Sequence, residues 1–331
     1  MRSATVRQRG DGSFTDNMNA NMVKKALVVG SGVMGSSIAQ VLAAGDIDVT
    51  LVDVDEKALG RAMGRIDSAL NTLAESGQLA RDKIPCVLAR IQATTDLTAA
   101  AREVDFAVEA VPEIPALKKK ILEQLGGLCD AQTIVGSNTS GLDIFSIADV
   151  KRPERLVIAH FFAPAHIIPL VEIVPGTRTS PETVAFTAEL LQGLGKSPVV
   201  MQMFAPGFIV NRIQKAINEA CMELIEEGVA GPDEIDRAVK HSLGIRLPIV
   251  GVVQSLDFAG LDMLLDVMRG SGSGKISLVA EKVSKGHLGA KTSKGFYEYQ
   301  GRRETEILRK RDELYLKMLA YLKEIHAFDP I

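Results

Sequence analysis

Two groups of residues in this chain have types and spacings that could do chemistry. The first is Gly30-Ser31-Gly32-Val33-Met34-Gly35, followed at a distance of about 20 residues by Asp53. Glycines so spaced make a tight turn, let backbone approach a pyrophosphate, and let the next helix pack closely on the preceding strand. The N-terminus of that helix, with Val33 and Met34 in its first turn, offers unpaired N–H groups and the positive end of its dipole to phosphates. The Asp53 carboxylate would accept hydrogen bonds from ribose hydroxyls and repel a 2′-phosphate, which selects NAD over NADP. The second group is an acid/base candidate. A nicotinamide cofactor carries hydride but leaves the hydroxyl proton to the protein. Of the five histidines, only His160 and His166 stand at the end of an expected strand in the α/β part, where open α/β sheets hold ligands. Glu172, in the next expected strand, would fix the His160 tautomer and stabilise its imidazolium. A purely structural histidine is the competing reading of the same pattern.

The elements that must position these groups are legible as alternating patterns. An apolar run at 26–29 precedes the glycines, a helical stretch at 37–42 follows them, and a strand-like run at 48–52 leads to Asp53. Further strand-like runs lie at 105–109, 133–136, 156–159, 170–174 and 198–201. Near-continuous apolar strands between helices imply a doubly wound, mainly parallel sheet covered on both faces. After Phe204-Ala205-Pro206-Gly207 the pattern turns helical. Ile209, Ile213, Ala216, Ile217, Ala220 and Leu224 recur at the spacing of a buried helix face, and Ile307, Leu308, Leu314, Met318, Leu319, Leu322 and Ile325 mark a second. The expected organisation is a disordered tail at 1–21, a dinucleotide-binding domain at 22–205 and an all-helical domain at 206–331. Met22 is a candidate natural start.

Bulk properties exclude several function classes. At 331 residues the chain can hold two domains with cores of their own. A net charge of −3 gives no electrostatic footprint for nucleic acid or an anionic membrane. No apolar run is long enough to span a bilayer, and none in the tail forms a secretory signal. Cys86, Cys129 and Cys221 have no metal or redox spacing and read as core thiols in reducing, cytoplasmic surroundings. No metal site is expected. Gly270-Ser271-Gly272-Ser273-Gly274-Lys275 imitates a phosphate loop, but its glycine spacing is wrong and no strand precedes it. It is read as a flexible connection between helices.

Six further segments carry a family resemblance. Ser137-Asn138-Thr139-Ser140, His160-Phe161-Phe162-Ala163-Pro164, Leu170-Val171-Glu172, Pro206-Gly207-Phe208-Ile209-Val210-Asn211-Arg212, Asp257-Phe258-Ala259-Gly260-Leu261-Asp262 and Lys291-Thr292-Ser293-Lys294-Gly295-Phe296-Tyr297 follow one another in the order of the L-3-hydroxyacyl-CoA dehydrogenase family. The chain closely resembles that family from about Lys24 to Tyr299. The resemblance implies a Rossmann-type domain, a helical domain that forms a homodimer interface, NAD as cofactor and a role in fatty acid metabolism. It makes His160 the catalytic base, Glu172 its orienting partner, and Ser140 and Asn211 hydrogen-bond donors near the reacting oxygen. Glu113, Lys118 and Asn138 fall on the cofactor side. Each has a plainer reading: Ser140 a turn cap, Asn211 a helix cap, Lys118 part of a solvated lysine face. A serine, histidine and acid also suggest a hydrolase triad, but no Gly-x-Ser-x-Gly elbow is present.

Three departures bear on the substrate. Ala163 stands where most members carry an asparagine that helps position nicotinamide and substrate. Ala69 and Ser76 stand where acyl-CoA-binding members use a serine and a lysine, and no lysine lies between Lys57 and Lys83. The run Ala165-His166-Ile167-Ile168-Pro169-Leu170 looks more like the branch acting on free hydroxycarboxylates, where His166 sits near the substrate pocket. The expected activity is NAD-dependent oxidation of a 3-hydroxyacyl-CoA. A free small hydroxy acid is the second expectation, and a weakly catalytic NAD-binding protein the third.

Overall fold

The computed structural model describes residues 23–272 and 276–329. The expected disordered tail, the candidate start Met22 and residues Ser273 to Lys275 of the glycine-rich connection lie outside them. The chain divides into two compact units between Lys215 and Ala216, whereas the change of sequence pattern sits at 205/206. Helix Val210–Glu226 carries the chain from one unit into the next.

The first unit is built on one eight-stranded sheet in the order β3-β2-β1-β4-β5-β6-β7-β8. The strands are β1 (Lys25–Val29), β2 (Asp48–Val52), β3 (Ile91–Thr94), β4 (Phe106–Glu109), β5 (Ile134–Ser137), β6 (Leu156–Phe161), β7 (Leu170–Pro175) and β8 (Ser197–Val200). All neighbours pair parallel except β6 with β7, which run antiparallel. Alternate side chains leave opposite faces of a strand, so each face acquires its own core. Val28, Val108 and Val157 join Ile38 and Leu42 of α1 (Val33–Ala44), Leu59 and Ile66 of α2 (Glu56–Glu75), and Phe186 and Leu190 of helix Pro181–Gly193. Leu27, Ala107 and Ile158 join Leu122 and Leu125 of helix Pro115–Leu128 on the other side.

The turn from β1 into α1 depends on two glycines for steric reasons. Gly30 has φ +102°, and a Cβ there would meet Ala110 O at 2.6 Å. A Cβ on Gly35 would fall 1.7 Å from Gly30 O, so any side chain would push α1 off the sheet.

The second unit is helical, with Pro232–His241, Leu243–Ala259, Leu261–Gly270, Ser277–Ser284 and Glu304–Glu324. Leu243–Ala259 is broken by Pro248 and by Gly251 at φ +67°, the usual causes of a kink. The buried Asp257 accepts hydrogen bonds from Phe296 N (2.8 Å), Tyr297 N (2.9 Å) and Tyr299 OH (3.0 Å). This knot ties the Asp257 segment to the Phe296 segment.

Three expectations need correction. His160 lies inside β6 rather than at its end, because the strand continues to Phe161. No residue of helix Val210–Glu226 is buried, and Ile213 and Ile217 are 42% and 37% exposed. Periodicity reports an apolar face but not what covers it. Of the three thiols only Cys129 is buried; Cys86 is exposed and Cys221 intermediate.

Candidate active site

In the antiparallel register of β6 and β7, His160 lies directly opposite Glu172. His160 Nδ1 is 2.9 Å from Glu172 Oε2. An ionised carboxylate can only accept, so Nδ1 carries the proton and donates it. The ring packs against Phe162 and Phe208, with centroids 4.5 Å and 5.3 Å away. Glu172 is fully buried, and its second oxygen accepts from Ile209 N (3.0 Å) and Val210 N (2.9 Å). Burial works to raise its pKa. The hydrogen bonds from His160, Val210 and Ile209 outweigh it and hold the carboxyl below the usual glutamate value.

The same segment delivers Asn211, whose Nδ2 donates to Ser140 O at 3.0 Å. Ser140 is exposed; its N–H (2.9 Å) and hydroxyl (3.2 Å) both donate to Glu113 Oε1, beside Thr139 Oγ1 (2.5 Å). Burial pushes Glu113 up, but the Thr139 hydroxyl, the Lys118 charge and the Ser140 N–H together hold it below its usual value. Lys118 is not part of a solvated face. It is 1% exposed, pairs with Glu113 at 3.2 Å and Glu109 at 2.7 Å, and donates to Val111 O at 3.1 Å. Glu109 also accepts from Ser137 Oγ at 2.6 Å and Val111 N at 2.8 Å. Asn138 ties β4 to β6: its N–H donates to Glu109 O and its Oδ1 accepts from Phe161 N, both at 2.8 Å.

The glycine turn joins β1 to α1, with Asp53 just after β2. Gly32 caps α1 without a side-chain hydrogen bond, leaving the first-turn N–H groups of Val33 and Met34 for a ligand. A Cβ on Gly32 would meet nothing within 4 Å, so there is room for a pyrophosphate. Asp53 Oδ2 accepts from Ser31 N (2.8 Å) and Ser31 Oγ (2.7 Å). Burial raises the Asp53 pKa, yet those two bonds and the N–H groups of Asp55 and Val54 keep it below the usual aspartate value. A carboxylate fixed in its anionic form would repel a 2′-phosphate brought beside it. These residues fit NAD.

Two side chains here were not found from sequence. Arg65 reaches from α2 to Ser31 O at 2.6 Å, and no local pattern announces it. Glu109 had a signal, an acid ending the apolar strand Phe106-Ala107-Val108. His166 is not brought to the dyad by any hydrogen bond or ring contact among the described residues. Its Nδ1 pairs with Ser37 Oγ on α1 at 2.9 Å. Ala163 is exposed, and Ala69 and Ser76 lie on and just after α2. Among the described residues no His/Cys/Asp/Glu group could hold a metal, and no single helix is long and apolar enough to cross a membrane.

Residues 25–204 match the NAD binding domain of 3-hydroxyacyl-CoA dehydrogenase, and residues 207–299 match its C-terminal domain. The chain belongs to the 3-hydroxyacyl-CoA dehydrogenase family. A probable 3-hydroxybutyryl-CoA dehydrogenase of Deinococcus radiodurans is 38% identical over 82% of the chain and 99% of its own length. A 5-formyl-3-hydroxy-2-methylpyridine 4-carboxylate 5-dehydrogenase of Mesorhizobium japonicum is 32% identical over 84% and 91%. The crystal structure of the 3-hydroxyacyl-CoA dehydrogenase of Archaeoglobus fulgidus superposes with TM-score 0.76 at 32% identity, covering 91% of this chain and 99% of that one. Membership in the 3-hydroxyacyl-CoA dehydrogenase family makes the protein an NAD-dependent oxidoreductase acting on a secondary hydroxyl.

Replacing Lys118 by Met should leave Glu109 buried without a cation. The expected loss of stability is about 3–5 kcal/mol in chemical denaturation. Lys119→Met, at a side chain 53% exposed, should stay within about 0.5 kcal/mol. Equal stability of the two variants would refute a structural role for the buried pair.

Proposed function

We propose that the chain interconverts a 3-hydroxyacyl-CoA and the corresponding 3-ketoacyl-CoA, with His160 as general base and acid. The carrying observation is the buried His160–Glu172 pair. With Nδ1 donating to Glu172, the neutral ring keeps its lone pair on Nε2, ready to take the substrate hydroxyl proton. Bound NAD supplies the acceptor for the hydride that leaves the adjacent carbon. The Glu172 anion then stabilises the imidazolium electrostatically. In the reverse direction the imidazolium returns its proton to the oxygen, while the Ser140 hydroxyl and Asn211 amide stabilise the charge developing there.

His160→Gln keeps a polar side chain of similar reach but cannot cycle a proton. Turnover should fall by about 10²–10⁴-fold, with NADH binding by fluorescence titration unchanged. Retained turnover would remove His160 from the mechanism.

A second reading replaces the thioester with a free hydroxy acid. It is favoured by the relative named for a pyridine carboxylate, by Ala163, by Ala69 on α2 and by Ser76 just after it. A steady-state panel decides between them: acetoacetyl-CoA with NADH against free hydroxycarboxylates with NAD. Thioester turnover is expected, and activity confined to free acids would transfer the site to the second reading.

We also propose that the protein is a homodimer through the apolar face of helix Val210–Glu226. Ile213, Ile217 and Leu224, with Ile209 just before the helix, stand at least 37% exposed at helical spacing, a stripe of the kind a second subunit covers. Sedimentation velocity at micromolar concentration should show twice the chain mass, and a monomer at that concentration would contradict it.

A further inference from the structure

The loop between β6 and β7 is fastened from outside the dyad. Lys196 Nζ donates to Ala165 O and to Ile168 O, the latter at 3.3 Å, and the His166 N–H donates to Ser37 Oγ at 3.2 Å. Lys196 and His166 also line an open cavity of about 270 Å³ together with Gln40 of α1, and the rest of the wall is apolar, chiefly Val41, Leu73 and Leu194. This cavity shares no residue with the dyad or with the glycine turn.

The polar groups at its wall are short of partners. Among the described residues no carboxylate pairs with Lys196, and no acidic side chain lines the cavity. Two of the three ammonium protons are used by carbonyls, which leaves one. Burial holds the Lys196 pKa below the usual lysine value, as befits a cation without a counter-charge. Gln40 is 2% exposed and its Nε2 is buried with no hydrogen-bond partner. Buried amides are almost always paired, so Gln40 brings a donor without a partner to the cavity wall. Because Ser37 Oγ accepts from the His166 backbone, its own proton is available to Nδ1. The neutral imidazole then carries its proton on Nε2 as a third donor. Burial and the Lys196 charge both favour that neutral form.

We propose that this cavity binds a short-chain aliphatic carboxylate, its anion on the Lys196 ammonium with Gln40 and His166 as neutral donors, and its chain against Val41, Leu73 and Leu194. One cation with neutral donors matches a single negative charge. The apolar wall gives no reason to prefer a phosphate dianion. The site is separate from catalysis and does not rest on the reading of His160.

Butyrate is a suitable probe, since it has no hydroxyl to oxidise. Isothermal titration of the full-length protein should show saturable binding of butyrate, at least tenfold weaker in Lys196→Met and unchanged in His160→Gln. Gln40→Met should weaken butyrate several-fold and raise the melting temperature by ~2–4 °C, because an unpaired buried amide is removed. If Lys196→Met fails to fold, Gln40→Met decides, and unchanged affinity there overturns the proposal. So would absence of saturable binding, loss of binding in His160→Gln alone, or inorganic phosphate or butanol binding as tightly as butyrate.

Discussion

A carboxylate with no access to water must have both oxygens satisfied, and Glu172 meets that demand in a way that locates everything around it. One oxygen takes the His160 Nδ1 proton; the other takes two backbone N–H groups, Ile209 and Val210, where helix Val210–Glu226 begins. A helix N-terminus stabilises an anion through free N–H groups and its dipole. The helix is therefore anchored at its first turn, and Asn211, the next residue, is delivered to Ser140. The antiparallel pairing of β6 and β7 makes this possible, because it sets His160 and Glu172 side by side on adjacent strands.

The second buried anion, Glu109, is satisfied differently, by a lysine that is itself buried. Lys118 sits between Glu109 and Glu113, so the three charges leave a net of about one negative. Glu113 holds Thr139 and both donors of Ser140. Ser140 thus belongs to both networks, through Glu113 on one side and Asn211 on the other. A ligand oxygen that recruits the Ser140 hydroxyl replaces one 3.2 Å hydrogen bond while the backbone donor stays in place.

How much of this was legible in the sequence follows from what each pattern measures. The glycine turn was legible because sterics at Gly30 and Gly35 admit no other residue, and Asp53 follows from strand length. Strand β3 was missed because an edge strand with the burial of Ile91-Gln92-Ala93-Thr94 shows no continuous apolar run. Lys118 was readable after all: it shares a helical face with Leu122 and Leu125, all three buried, at spacings of four and three. Reading the three consecutive lysines as one solvated surface ignored that turn. Helix Val210–Glu226 failed in the opposite sense, its apolar spacing real and its burial absent. The orientation of β7 was out of reach, since strand direction is decided by connections and not by composition.

The discrimination between a thioester and a free acid must come from groups remote from the reacting carbon, since the dyad handles a secondary hydroxyl identically in both. On α2, Arg65 donates to Ser31 O at 2.6 Å, while Arg61 pairs with Asp55 at 3.3 Å on the surface and Lys57 stands exposed in the first turn. Ala69 and Ser76 add no charge. Beyond the helix, Arg81 and Lys83 in the turn Arg81–Lys83 are the next cations along the chain. A coenzyme A phosphate would need such surface cations, and a substrate without phosphates makes no such demand.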